Sequence, residues 1–192
     1  MGKARLEAFS DGVIAVIITI MVLELKAPQG ADLAALVPLV PVFLSYVLSY
    51  IYVGIYWNNH HHLLHTAQKI NGRILWSNLH LLFWLSLVPF VTAWVNEHHF
   101  AAVPVACYGF VLLMSGITYY ILERNLIVHH GKESLLSRAV GRDYKGIVSV
   151  AIYVAAIAIA FVNVWVSCAL YAFVAAMWFI PDTRIERTAR EA

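Results

Sequence analysis

Six long apolar segments, separated by short polar connections, limit what this 192-residue chain can fold into. Hydrophobic residues make up 61% of the chain and charged residues 12%, and the mean hydropathy is +0.74, far from the balance of a soluble domain. A helix that crosses a bilayer needs about 20 apolar residues, so the chain accommodates about six or seven spans and no soluble catalytic domain. The sequence therefore predicts an all-α integral membrane protein.

We predict six transmembrane helices within one domain that covers residues 1–192. Their expected limits are 4–25, 36–57, 74–95, 101–122, 147–162 and 164–181. These runs are too continuous for a membrane barrel, whose strands alternate in hydropathy over about 10 residues. The last two spans are short and are separated only by Asn163, which predicts a tight helical hairpin. The long connection between Arg124 and Lys145 predicts a helix on the membrane surface.

The positive charges indicate how the spans are oriented. With six spans, twelve of the thirteen Lys and Arg residues fall on the side that holds both termini, and only Lys26 falls on the other. By the positive-inside rule, both termini are expected to be cytoplasmic. Attraction to anionic lipid headgroups accounts for the net charge of +2, and the charges form no stripe typical of nucleic-acid binding.

The first span combines a polar start with an apolar stripe. Charged side chains at the mouth of a span are costly, so Arg5 and Asp11 are expected to have partners. At about 100° per residue, one narrow stripe of the helix holds Gly12, Val16, Ile20, Leu23 and Ala27, with Thr19 at its border. Asp11 falls on the opposite side. Spacing alone favours helix packing or lipid contact for this stripe. A cleaved signal peptide is disfavoured because acidic residues interrupt the start and no small-residue cleavage site follows.

The role of Asp11 has two interpretations. It is either a buried carboxylate that pairs with Arg5, or with a His or Asn of another helix, or a proton carrier in a transporter. The second span ends in Tyr56-Trp57-Asn58-Asn59-His60-His61-His62, level with the start of the first span, and supplies such partners. His61 and His65 have the spacing of metal ligands on one helical face, but no cysteine or second carboxylate completes a set. No metal site is predicted.

Other polar residues within the spans have modest implications. His80 is expected to be a hydrogen-bonded packing residue or part of a proton relay. Cys107 and Cys168 are expected to pack as small apolar side chains. The sequence contains no nucleotide-binding, metalloprotease or hydrolase motif, no Thr-Val-Gly-Tyr-Gly filter and no regularly spaced arginines. We therefore predict neither an enzyme nor a bound cofactor.

Four segments carry a resemblance to a known family. They are Arg5-x-x-x-Phe9-Ser10-Asp11, Ala15-Val-Ile-Ile-Thr19-Ile-Met-Val-Leu23-Glu24-Leu25, Tyr56-Trp57-x-x-His60-His61 and Pro89-Phe90-x-Thr92. The chain resembles the family of transmembrane protein 175, the lysosomal potassium channel and its smaller bacterial relatives. The resemblance is clear over about the first 95 residues, and its first motif is the most specific. The single copy of that motif matches the bacterial arrangement.

The resemblance implies a homotetramer in which the first helix of each subunit lines a central pore. Carried onto this sequence, the hydrophobic constriction consists of Val16, Ile20 and Leu23, and Thr19 supplies a pore-facing hydroxyl. The implied function is a potassium-permeable, modestly selective monovalent cation channel in a bacterial inner membrane. Val16 replaces the isoleucine or leucine of the family, so its ring is not expected to be the narrowest and selectivity is expected to be weaker.

The resemblance also implies a structural role for the polar start of the first helix. Arg5, Phe9, Ser10 and Asp11 would tie the pore helix to the second and third spans. Their plausible partners there are Asn58, His60 and His61. Two alternatives stay open: a proton-coupled secondary transporter that uses Asp11 and the histidines, and a non-conducting membrane scaffold that interacts with lipids.

Overall fold

The computed structural model describes residues 2–131 and 144–179, which are entirely helical apart from their connections. The helices are α1 (Lys3–Leu23), a 3₁₀ helix (Leu33–Leu39), α2 (Val40–His65), α3 (Gly72–Ser86), α4 (Val88–Glu97), α5 (Ala102–His130), α6 (Tyr144–Ile159) and α7 (Val164–Phe179). Most of the connection predicted to hold a surface helix lies outside the described residues, as does the predicted end of the sixth span.

Four segments of the structure are long and apolar enough to cross a membrane. They are α1, the 3₁₀ helix with α2, α3 with α4, and α5. The two remaining helices, α6 and α7, have 16 residues each and pack against each other as the predicted hairpin. Asn163 shapes the turn between them, because its Oδ1 accepts hydrogen bonds from the backbone N–H groups of Trp165 and Val166 at the start of α7.

The second and fourth helices continue beyond the limits expected for their spans. α2 runs to His65 instead of Trp57, and α5 runs to His130 instead of Leu122. Both extensions bury leucines, Leu64 on α2 and Leu126 on α5, in the common core. Hydropathy marks the part of a helix that matches the hydrocarbon, whereas packing between helices decides where the helix ends.

The third span contains a one-residue break close to the proline inside it. α3 ends at Ser86 and α4 begins at Val88, with Leu87 between them. Pro89 lies in the first turn of α4, where its ring and its missing N–H prevent a regular continuation of α3. Both α3 and α4 are in contact with α1.

One end of the bundle, here called the basic end, gathers six of the seven described Lys and Arg residues. They are Lys3, Arg5, Lys69, Arg73, Arg124 and Lys145, and the seventh, Lys26, lies at the opposite end. Polar contacts close the basic end: Lys3 Nζ donates to the carbonyl of His65 at 2.8 Å. His130 Nε2 accepts from the backbone N–H groups of Gln68 and Lys69. Since α1 begins here, the described residues reproduce the charge asymmetry seen in the sequence.

Helix α7 approaches α5 closely at Gly109. The Tyr171 hydroxyl donates a hydrogen bond to the Val105 carbonyl at 3.3 Å, which places the phenol directly on the glycine one turn further along α5. A Cβ added to Gly109 would overlap the hydroxyl and ring atoms of Tyr171. Tyr171 is fully buried, so the ring has little room to move.

We predict that Gly109→Ala lowers the free energy of unfolding by about 1–3 kcal/mol, because the added methyl group forces α5 and α7 apart. Thermal unfolding of the purified protein in detergent measures the effect. Gly54→Ala on α2 is the matched control, since nothing lies within 4 Å of its added Cβ. Equal midpoints for the two variants would contradict the close approach.

Candidate functional site

Helix α1 has one face that packs inside the chain. Its buried residues recur every three or four positions: Leu6, Ser10, Ile14, Ile17 and Met21. Residues at this spacing share one side of a helix, and α1 uses that side to contact α2, α3 and α4. The internal packing of the subunit therefore fixes which residues α1 turns outward.

The outward face of α1 carries the stripe identified in the sequence. Val16, Ile20 and Leu23 expose 54%, 44% and 77% of their surface, and Thr19 is exposed beside them. The Thr19 hydroxyl donates to the Val16 carbonyl at 3.0 Å, so its proton is engaged while its oxygen can still accept. Such a face in a membrane protein must contact lipid, another subunit or a pore.

A buried hydrogen-bonded chain holds α1 in this rotation. Asn78 Nδ2 on α3 donates to Ser10 Oγ at 2.9 Å, and Asn78 Oδ1 lies 2.7 Å from His60 Nε2 on α2. Because an amide oxygen only accepts, His60 Nε2 is the donor in the second contact. Ser10 in turn donates to the carbonyl of Leu6. All three side chains are fully buried, so their polar groups satisfy one another without water.

Asp11 has a different environment from the one expected. Its carboxylate is exposed and accepts a hydrogen bond from the Trp57 indole N–H at 3.0 Å, without pairing with Arg5, a His or an Asn. The Trp57 ring stacks on His61, with the ring centres 6.1 Å apart. The motif thus contacts the third span through Ser10, which accepts from Asn78, and the second span through Asp11, which accepts from Trp57.

The remaining predicted motif residues lie at the surface of the subunit. Arg5, Phe9 and Asn58 are exposed, and Arg5 makes no ion pair within the described part of the chain. His80 is exposed as well, so the expectation that it packs inside the bundle was wrong. His60 is the histidine that is buried there, because α2 extends two turns further than the hydropathy indicated.

Sequence reasoning missed Asn78 and Trp57 as partners of the motif. Asn78 had a usable signal, since α1 and α3 both begin at the basic end and the residue lies about as far into α3 as Ser10 lies into α1. Polar side chains at equal depth in neighbouring spans are natural partners. Trp57 carried no such signal, because tryptophan is common near the ends of spans for other reasons.

An open apolar groove of about 880 Å³ runs beside the stripe, between α1 and the junction of α3 with α4. Its walls include Phe9, Gly12, Val16 and Ile20 of α1, and Ser86, Pro89, Phe90 and Ala93 of the third span. Its width and apolar lining suit contact with a helix.

The histidines at the basic end do not assemble a metal site. His61 and His65 share a face of α2, with ring centres 6.1 Å apart, as the spacing predicted. Across residues 2–131 and 144–179, however, no three His, Cys, Asp or Glu side chains are grouped closely enough to hold an ion.

Comparisons with known proteins agree on one family. The family model described as endosomal/lysosomal potassium channel TMEM175 matches residues 5–89. A potassium channel of a Chryseobacterium species is 54% identical over 191 residues, covering 100% of both chains, and one of Chamaesiphon minutus is 30% identical, covering 91% of this chain and 92% of the relative. The crystal structure of a lysosomal potassium-selective channel TMEM175 homolog from Chamaesiphon minutus superposes with a TM-score of 0.79 at 26% identity, covering 93% of this chain and 96% of that one.

We predict that Asn78→Ala destabilises the protein by about 1–3 kcal/mol, because the buried His60 Nε2–H loses its acceptor, whereas Ser10 keeps its hydrogen bond to Leu6. Thermal unfolding and the proportion of assembled oligomer in size-exclusion chromatography measure the loss. Asn58→Ala is the control, because this asparagine is exposed on the neighbouring helix. An Asn78→Ala protein as stable as the control would show that the buried chain does not hold α1.

Proposed function

The chain belongs to the family of the endosomal/lysosomal potassium channel TMEM175, and from this premise we propose that it conducts potassium through a pore lined by α1 in a homotetramer. It is a multi-pass membrane channel and not an enzyme. One observation supports the pore assignment. The apolar side chains on the outward face of α1 are exposed, while the opposite face of α1 is held by buried hydrogen bonds. Such a helix can line a pore without reorganising its own subunit.

Tetrameric assembly is supported by the two exposed surfaces that lie side by side on α1. One is the stripe of Val16, Ile20 and Leu23. The other is the side of the groove that α4 forms with Pro89, Phe90 and Ala93, and Val16 and Ile20 lie at the edge where the two surfaces meet. Four copies around an axis would turn the stripes inward, while each groove would receive part of the adjacent subunit. Cyclic symmetry of this kind uses two different surfaces of each subunit and closes without leaving either one bare.

The stripe would act as a hydrophobic gate. Four copies each of Val16, Ile20 and Leu23 would form three apolar rings at successive depths. A narrow apolar throat loses its water when it is slightly constricted, which blocks ions without a plug. Small rotations or bends of α1 would widen the rings and restore conduction. The shorter Val16 side chain makes the first ring wider than the two that follow.

Selectivity would be modest because the pore offers few ligands for a dehydrated ion. α1 is a regular helix from Lys3 to Leu23, so its carbonyl groups are engaged within the helix and cannot replace a hydration shell. The Thr19 oxygens are the hydroxyl ligands beside the rings. Potassium would pass more readily than sodium because it loses its hydration water at lower cost, and other monovalent cations would follow the same rule.

The polar start of α1 would set the position of the rings. Ser10 fixes the rotation of the helix through Asn78 and His60, and Asp11 adds a lateral contact to Trp57. Arg5 and Phe9 lie exposed beside them, at positions where a neighbouring subunit would pack. The basic end would face the cytoplasm, with both termini there, in a bacterial inner membrane.

The structure gives little support to the two rival functions. A proton-coupled transporter needs titratable groups in succession across the membrane, but in the described ranges Asp11 and His60 lie in separate contacts at the basic end and His80 points outward. A non-conducting scaffold would not need buried hydrogen bonds that fix the rotation of an exposed helix such as α1.

We predict potassium flux from the purified protein in liposomes that are loaded with potassium and diluted into sodium buffer. A protonophore and a pH-sensitive dye report the flux, and empty liposomes are the control. With external N-methyl-D-glucamine, an impermeant cation, in both cases, sodium-loaded liposomes should give a flux severalfold below that of potassium-loaded liposomes but above that of empty ones. Uptake that saturates and requires a pH gradient would favour a transporter, and no flux above that of empty liposomes would favour a scaffold.

We predict that Ile20→Asn and Leu23→Asn each raise the resting potassium leak severalfold, since an amide keeps the constriction hydrated. Val22→Asn is the matched control, because Val22 is exposed on α1 about 200° around the helix from Ile20. The same liposome assay measures all three variants. If the Ile20 and Leu23 variants had the same conductance as Val22→Asn, the stripe would not line the pore.

A further inference from the structure

Two adjacent histidines at the end of α5 hold the connection between α2 and α3. His130 Nε2 accepts hydrogen bonds from the backbone N–H groups of Gln68 at 3.0 Å and Lys69 at 3.1 Å. His129 Nδ1 lies 3.1 Å from the side-chain nitrogen of Asn71. These three contacts, here called the histidine clasp, lie at the basic end of the bundle, and the proposed pore does not use them.

Neighbouring hydrogen bonds show which ring nitrogens carry protons. His130 Nδ1 lies 2.9 Å from the Leu126 carbonyl, and because a carbonyl only accepts, Nδ1 carries the proton and Nε2 has the free lone pair. Asn71 Oδ1 accepts from the Ile74 N–H at 2.9 Å, which turns the amide nitrogen, a donor only, toward His129 Nδ1. Both imidazoles therefore take part in the clasp as neutral acceptors.

A proton on either ring abolishes its part of the clasp. An imidazolium has two N–H donors and no lone pair, so a protonated His130 would present an N–H to two other N–H groups. A protonated His129 would oppose the amide nitrogen of Asn71 in the same way. Histidine side chains commonly change charge between about pH 5 and 8. Because His130 makes two of the three contacts, one proton there is enough to release most of the clasp.

The surroundings offer a protonated ring no replacement partner. Neither imidazole forms an ion pair with a carboxylate in the part of the chain that the structure describes. Glu123 lies on α5 about two turns before His130, and the His129 ring centre lies 5.3 Å from that of His130. The charged and titratable groups of the adjoining elements are Lys69 in the connection, His62 and His65 at the end of α2, Arg73 at the start of α3, and the ion pair of Lys3 with Glu7 on α1.

We infer that the histidine clasp opens in response to acid on the side of the membrane that the basic end faces. The open state binds protons that the closed state excludes, so by linkage each fall in pH favours opening. Opening frees the connection between α2 and α3, the two helices whose His60 and Asn78 side chains position α1. The clasp belongs to the single subunit and operates whether or not the protein conducts ions.

Hydrogen–deuterium exchange of the purified protein in detergent, read by mass spectrometry, tests the clasp at pH 7.5 and 5.5. After correction for the intrinsic effect of pH on exchange, peptides that contain Gln68 and Lys69 should exchange about 10-fold faster at pH 5.5, because their N–H groups lose an acceptor. Peptides from the middle of α5, within residues 108–118, should stay protected at both pH values. Equal exchange of the connection at the two pH values would overturn the proposal.

Two substitutions remove the titration and keep the acceptors. His130→Gln brings an amide oxygen close to the position of Nε2, and His129→Asn brings one close to the position of Nδ1. The double variant should therefore protect the connection equally at both pH values. His80→Gln is the matched control, because His80 is exposed on α3 outside the clasp, and this variant should remain pH-sensitive.

A third variant keeps the test decisive if the double variant does not fold. His130→Ala removes the acceptor altogether, so the connection should exchange rapidly even at pH 7.5. Exchange in His130→Ala equal to that of the unmodified protein at pH 7.5 would overturn the clasp. A folded double variant as pH-sensitive as the unmodified protein would also overturn it, since another group would then be responsible. Loss of protection throughout α5 at pH 5.5 would do the same, because it would indicate global unfolding.

Discussion

The rotation of α1 about its own axis is the constraint on which the rest of this molecule depends. Apolar packing cannot set it alone, because lipid solvates a leucine about as well as another helix does. The hydrogen-bonded chain from Ser10 through Asn78 to His60 sets it, since the buried Asn78 and His60 side chains would otherwise lose these partners. Every property proposed for the pore depends on which residues of α1 these hydrogen bonds turn outward.

Polar contacts elsewhere fix the remaining helices in a similar way. Ser49 on α2 lies within hydrogen-bond distance of Thr92 on α4 and Tyr108 on α5, which joins three helices at one buried point. Tyr171 on α7 adds a contact to α5 over Gly109. These hydrogen bonds and the close approach at Gly109 add fixed points to the apolar core that the helices share. The groove beside α1 is a surface without such contacts, and it stays open.

Much of the fold was predictable from the sequence, and the differences from the structure have a common cause. The hairpin at Asn163 and the charge asymmetry followed from hydropathy and loop charges, which depend on the membrane and not on neighbouring helices. The ends of α2 and α5, and the break at Leu87, depended on packing. The stripe on α1 was visible from spacing, but spacing could not distinguish a pore from a lipid contact, and only the family resemblance favoured the pore.

The sequence by itself determined that the chain crosses a membrane, which end carries the positive charges, and that Val16, Ile20 and Leu23 share one side of the first helix. Only the tertiary structure decided that this side of the helix is exposed on the subunit, that His60 is buried while His80 is not, and that Asp11 contacts Trp57. The physical reason is that each segment crosses the membrane according to the free energy of moving its own side chains from water into lipid. The pairing of polar side chains requires groups from different segments to meet at the same depth, which is a property of the assembled bundle alone.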